Sequence, residues 1–237
     1  MAWAIVPFED IAMNYHVLTG ALPNGGRLFV DHSPKQRSGH ISHALVEYRK
    51  DCLLAFYSNC SGFRNPNDPG HNGFGWIEYK RSTDGGDSWS DPFVLDYTME
   101  CFLNQPFTVS CEKAVSPAEN VIIAFCIRNT NPNAWEPHLE PMILRSEDGG
   151  LTWSEARQFC DVRGRIYDAL VHDGVIYVLM MANERWQITS PDHHYQIYAS
   201  YDGGVSFGLL SQLPDENLMR HAYGSMIVRP DGAFVCY

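Results

Sequence analysis

Ser82-Thr83-Asp84-Gly85-Gly86-Asp87-Ser88-Trp89 is followed by two further copies of one pattern. They are Ser146-Glu147-Asp148-Gly149-Gly150-Leu151-Thr152-Trp153 and Ser200-Tyr201-Asp202-Gly203-Gly204-Val205-Ser206-Phe207. The shared form is Ser-x-Asp-x-Gly-x-x-aromatic, and each copy follows an apolar run. Asp-Gly-Gly between apolar runs is a hairpin signal, because glycine takes the positive φ values that a tight two-strand turn needs. Short Ser and Asp side chains bond to the turn's own backbone. The closing aromatic folds beneath the turn as an apolar plug. Ser82, Asp84, Gly86 and Trp89, then Ser146, Asp148, Gly150 and Trp153, then Ser200, Asp202, Gly204 and Phe207, read as structural. A repeated catalytic aspartate would imply three active sites, and the alternating acidic positions of a calcium loop are missing.

A weaker repeat surrounds these turns. Residues 41–48 and 52–57 form a strand, a polar turn and a strand, as do 166–171 and 175–180, and 223–228 and 233–237. In a fourth copy, residues 106–110 lead to 121–125 through a longer connection. Val46, Val109, Val171 and Val228 recur 63, 62 and 57 residues apart. A repeat near sixty residues with four short strands is a propeller blade. No segment shows a sustained, capped helical pattern. The expected architecture is all-β, with about three and a half blades over residues 41–237. Residues 1–40 form an N-terminal segment that is a candidate closing strand. A ring left open exposes sheet edges, so a missing C-terminal part or a second chain is expected to complete it.

With 237 residues, 45% hydrophobic and 13% aromatic, the chain can bury a sizeable core. Its net charge of −11 argues against nucleic acid and anionic membrane surfaces as partners. No run is long and apolar enough for a spanning helix, and no signal peptide is visible at the amino terminus. Cytoplasmic residence and export with the signal removed both remain open. The seven cysteines include no Cys-x-x-Cys pair and read as buried thiols. No metal site and no cofactor is expected; His193-His194 lacks partners at readable spacing.

The repeated pattern resembles the Asp-box, or BNR repeat, of sialidases and sialidase-like six-bladed propellers. The likeness covers about residues 40–237. It implies a carbohydrate ligand and an exo-glycosidase that hydrolyses a terminal acidic sugar such as sialic acid. Such enzymes bind the sugar carboxylate with three arginines, whose guanidinium forks pair bidentately with it. They use an aspartate on a first-blade loop as acid/base and a tyrosine partnered by a glutamate as nucleophile. On this chain the first-blade loop holds Arg64 and Asp68 at matching places, with His71 as an alternative proton donor. Asp68 also suits the start of an Asp-Pro-Gly turn. Arg185 follows the second strand of the third blade, where an arginine of the triad often stands. Tyr223 is the nearest visible nucleophile candidate, though early in the ring. The Arg-Ile-Pro motif that opens the first blade of sialidases is absent; Arg165-Ile166-Tyr167-Asp168 echoes it in the third blade.

Independently of the resemblance, residues entering the innermost strands of a propeller line its central mouth. Here these include His40, His43, Arg165, Tyr167, Asp168, Arg220, His221 and Tyr223. Such a set also suits a uronate lyase, in which a cation neutralises the carboxylate and His or Tyr moves the proton. A glycan-binding propeller without catalysis is the third reading.

Overall fold

A computed structural model describes residues 37–38, 43–61, 75–104, 108–129, 139–183, 193–213 and 224–236. The described residues form antiparallel sheets and one short helix. The first sheet contains β1 (Arg37–Ser38), β2 (Leu45–Arg49), β3 (Cys52–Ser61), β4 (Gly75–Ser82) and β5 (Phe93–Val94). β1 and β2 both pair with β3, β1 at Cys60 and Ser61. Helix α1 (Asp96–Asn104) leads to the second sheet: β6 (Thr108–Ala118), β7 (Val121–Asn129), β8 (Met142–Ser146) and β9 (Arg157–Gln158). The third contains β10 (Gly164–His172), β11 (Val175–Asn183), β12 (His193–Ser200) and β13 (Gly208–Gln212). β14 (Met226–Val228) and β15 (Phe234–Cys236) pair as a two-stranded ribbon. No closed ring is formed among the described residues.

The alternation of side chains along a strand explains how the sheets stack. On β7, Ile122, Ala124 and Cys126 enter the core shared with the first sheet, whereas Ile123 and Phe125 enter the core shared with the third. On β11, Ile176, Val178 and Met180 face the second sheet, and Leu179 and Met181 face the ribbon. A strand buried on both faces reads as a continuous apolar run, which is how Val121 to Ile127 reads.

The three repeated turns share one geometry. The first serine's hydroxyl donates to the aspartate Oδ1 at 2.8 Å and accepts the second glycine's N–H at 2.8 Å, at Ser82, Ser146 and Ser200 alike. Oδ1 also accepts the N–H of Ser88, Thr152 or Ser206 at 2.9 Å, and Oδ2 accepts the hydroxyl of the same residue. These bonds hold the Asp84 carboxyl down at about 2, the Ser88 hydroxyl being the largest cause. At Asp148 desolvation pushes upward, but the bonds from Thr152 and Ser146 prevail, again to about 2. Asp202 is held low in the same way, led by the Ser206 hydroxyl.

Two of the turns also join neighbouring sheets. Trp153 packs edge-on against Phe56 and Tyr79 of the first sheet, both at 5.9 Å, and its indole N–H donates to the Tyr79 hydroxyl at 3.2 Å. Tyr79 in turn donates to the Gly150 carbonyl at 2.9 Å. Phe207 of the third sheet packs at 5.8 Å against Phe125 of the second. Gly150, with φ +79°, has no room for a side chain: an added Cβ would stand 2.5 Å from Leu54 Cδ1. Trp89 instead donates to Gly86 in its own turn, at 2.9 Å.

Two expectations are corrected. β6 runs unbroken to Ala118 and turns tightly at Glu119 and Asn120, so the longer connection after Ser110 is strand. Val46 faces Leu54, Val115 faces Ile123 and Leu170 faces Tyr177; the equivalent positions are therefore 46, 115 and 170, not 46, 109 and 171. The second correction is α1, where no helix was expected. Its buried residues are only Thr98 and Cys101, three apart. Thr98 Oγ1 accepts the Ile77 N–H and donates to the Leu95 carbonyl, both at 2.8 Å, which anchors the first turn to β4.

Candidate functional site

The first strands of the sheets lie side by side: β6 packs against β2 and β10, and β10 against β14. Register identifies equivalent places on them. Phe56 donates its N–H to the Ala44 carbonyl, Phe125 faces Lys113 and Leu179 faces Asp168, so Ala44, Lys113 and Asp168 correspond. Immediately before that place both β6 and β10 are bulged, between Cys111 and Lys113 and between Ile166 and Asp168. The extra residues are Glu112 and Tyr167. A bulge re-aims side chains and is common beside binding sites.

These two bulges create a polar seam between the sheets. Glu112 accepts two bonds from Arg165, at 2.8 Å from Nε and 2.6 Å from Nη2. The two side chains keep only 13% and 11% of their surface, so this is a largely but not fully buried bidentate pair that fixes the guanidinium plane. The same guanidinium lies over the Tyr167 ring at 5.0 Å, and Tyr167 stacks on Tyr195 at 5.9 Å. Burial pushes the Tyr195 hydroxyl upward, so it stays protonated at neutral pH.

Beside this group Lys113 pairs with Asp168 at 3.2 Å. Asp168 Oδ1 also accepts the Ala169 N–H at 2.9 Å. Its Oδ2 accepts the Ser225 hydroxyl at 2.9 Å and the Met226 N–H at 2.7 Å. One carboxylate thus ties together the second sheet, the third sheet and the ribbon. Its oxygens are engaged by protein groups, and Asp168 braces the seam. Arg165 is held in place by the Glu112 carboxylate.

The seam contains Arg165 and Asp168 from the sequence reading, while His43 is exposed just ahead of β2. Asp68, His71, Tyr223, Arg64, Arg185, His40, Arg220 and His221 lie outside the described residues. Glu112 and Lys113 were not anticipated; charged neighbours inside an otherwise alternating run were the available signal. Among the described residues no three His, Cys, Asp or Glu side chains are grouped to hold a metal. Nor is any helix among them long and apolar enough to cross a membrane.

A separate cleft of about 770 Å³ lies between β5, α1 and the second repeated turn. Phe93 and Trp153 line it together with Asp96, Glu100 and Glu155, and among the described residues no basic side chain does. Such a wall disfavours an anion.

Comparison with solved structures agrees with this architecture. A sialidase titled Hadza microbial sialidase Hz136 aligns with a TM-score of 0.54 at 16% identity, over 74% of this chain and 38% of its own. A leech intramolecular trans-sialidase, complexed with 2,7-anhydro-Neu5Ac, gives 0.55 at 10% identity, over 98% and 51%. A protein of unknown function from Dyadobacter fermentans DSM 18053 gives 0.54 at 14%, over 85% and 62%. The fold is sialidase-like. At these identities the likeness concerns fold alone, and the chain spans between 38% and 62% of the proteins it matches. No protein-family model and no curated protein matches the sequence.

Proposed function

We propose that this chain supplies sheets of a sialidase-like propeller that takes a terminal acidic sugar, such as sialic acid, and hydrolyses its glycosidic bond. The three repeated turns are read as Asp-boxes and the sheets as blades. The observation that carries the reading is Arg165, held by Glu112 at a bulge of an innermost strand, in a fold shared with sialidases. A guanidinium fixed in plane by one carboxylate is preorganised to meet a second one, that of the sugar. Asp68, with His71 as the alternative, takes the acid/base role, Tyr223 the nucleophile's, and Arg64 and Arg185 join Arg165 on the sugar carboxylate.

Ligand-observed NMR with N-acetylneuraminic acid and with galactose tests the binding half. The acidic sugar is expected to bind and the neutral one not to. Arg165→Lys should weaken binding by about tenfold, since a point charge replaces a fork. Equal binding of galactose, or no change in Arg165→Lys, would remove the carboxylate reading. For the catalytic half, turnover of a fluorogenic sialoside is expected, and Asp68→Asn should abolish it. Binding without turnover would leave a glycan-binding propeller instead.

A further inference from the structure

Cys111 on β6 and Cys126 on β7 are register partners in the second sheet. Both are reduced, fully buried and part of one core cluster, so their side chains leave the same face. Directly opposed residues of an antiparallel pair have Cα atoms about 4.5 or 5.5 Å apart, according to the kind of pair. Disulfides span Cα separations of roughly 4.4–6.8 Å. Either kind of pair therefore already stands at disulfide distance. Cys111 Sγ reaches the Lys113 carbonyl at 3.5 Å, across the bulge that presents Glu112.

We propose that Cys111 and Cys126 form a latent disulfide, an oxidation site that closes under a two-electron oxidant such as hydrogen peroxide and pins the base of the Glu112 bulge. In the first step one cysteine sulfur attacks a peroxide oxygen, the O–O bond breaks and water leaves, giving a sulfenic acid. In the second, the partner sulfur attacks the sulfenyl sulfur, the S–S bond forms, the S–O bond breaks and a second water leaves. Two thiols are oxidised and one peroxide is reduced to two waters. Burial holds the Cys111 thiol far above its ordinary range, so the reaction is slow and follows local opening of the β6–β7 pair. The bond would fix the register one residue before Glu112, and with it the grip on Arg165.

Cys101, in the same core cluster, is the rival partner. The test treats the full chain with hydrogen peroxide, then maps non-reduced peptides by mass spectrometry. A Cys111–Cys126 link is expected, absent in Cys111→Ser and Cys126→Ser and retained in Cys101→Ser. The oxidised protein should melt roughly 5 °C higher, because a short loop is closed in the unfolded chain. A link that involves Cys101, thiols that stay reduced or advance to sulfinic acid, or a melting midpoint that does not rise would each overturn the proposal. The wild-type map decides the question even if a serine variant fails to fold. It is also independent of any sugar-binding result.

Discussion

The three repeated turns and the bulged seam use their carboxylates in opposite ways. At each turn, the aspartate directs both oxygens to groups within four residues of itself, and all three copies do so alike. In the seam, Glu112 and Asp168 reach residues 53 and 57 positions away, and among the described residues the arrangement is not repeated. The distance along the chain from Glu112, in the middle of β6, to Ala118 at its end is roughly 20 Å at about 3.3 Å per residue, and just beyond it the Asn120 carbonyl accepts the Gly149 N–H of the second turn. Repetition marks what every sheet needs to fold; departure from repetition marks what only one place needs. Thus Ala44, Lys113 and Asp168 occupy one equivalent position with three different chemistries.

The comparison breaks first at Trp153. This indole joins two sheets through Phe56 and Tyr79, whereas Trp89 is hydrogen-bonded within its own turn. Trp153→Ala should cost about 3 kcal/mol, at the lower end for a large aromatic because the ring is half-buried. Trp89→Ala should cost less. Urea unfolding midpoints check the order, and equal losses would mean that the turns are local clasps only.

Next in size is Asp168→Ala. It removes the acceptor for the Ser225 hydroxyl, the Met226 N–H and Lys113 together. A loss of about 2–3 kcal/mol is expected, since hydrogen bonds to a charged group at a nearly buried site are being deleted. Lys113 is more than a third exposed and can return to water, which limits the cost. A stability change within about 0.5 kcal/mol would show that Asp168 does not brace the seam.

These two residues also illustrate how legibility in the sequence depended on distance along the chain. The turns could be read because each is complete within eight consecutive residues and needs no partner to be recognised. Arg165 and Asp168 could be named as polar residues on an inner strand, but not their partners. Glu112 and Lys113 stand 53 and 55 positions earlier, and only the stacking of sheets brings them together. The same pair made residues 111–120 look like a loop, because two adjacent charges interrupt the alternation that identifies a strand. A bulge accommodates that interruption by adding one residue. Helix α1 escaped for the converse reason: its short apolar face is specified by one threonine bonded to β4.

The smallest expected effect lies at the turns, and its sign follows from the carboxyls held low. Asp84 and Asp148 are down at about 2 in the folded protein, against an ordinary value of 3.8. The unfolded chain therefore takes up protons first as pH falls. The stability these carboxylates contribute is fully present above about pH 4 and is lost progressively toward pH 2. Urea unfolding at pH 6, 4 and 2.5 should show that decline. Asp84→Asn should flatten it by lowering the neutral-pH midpoint toward the acid value, and only modestly, because Asp84 is exposed and solvent screens it. In the double variant Asp84→Asn/Asp148→Asn the slope should fall further, by nearly additive steps, since each carboxylate bonds within its own turn. Strong non-additivity would mean that the turns communicate through Tyr79 and the Trp153 contact rather than acting as independent units.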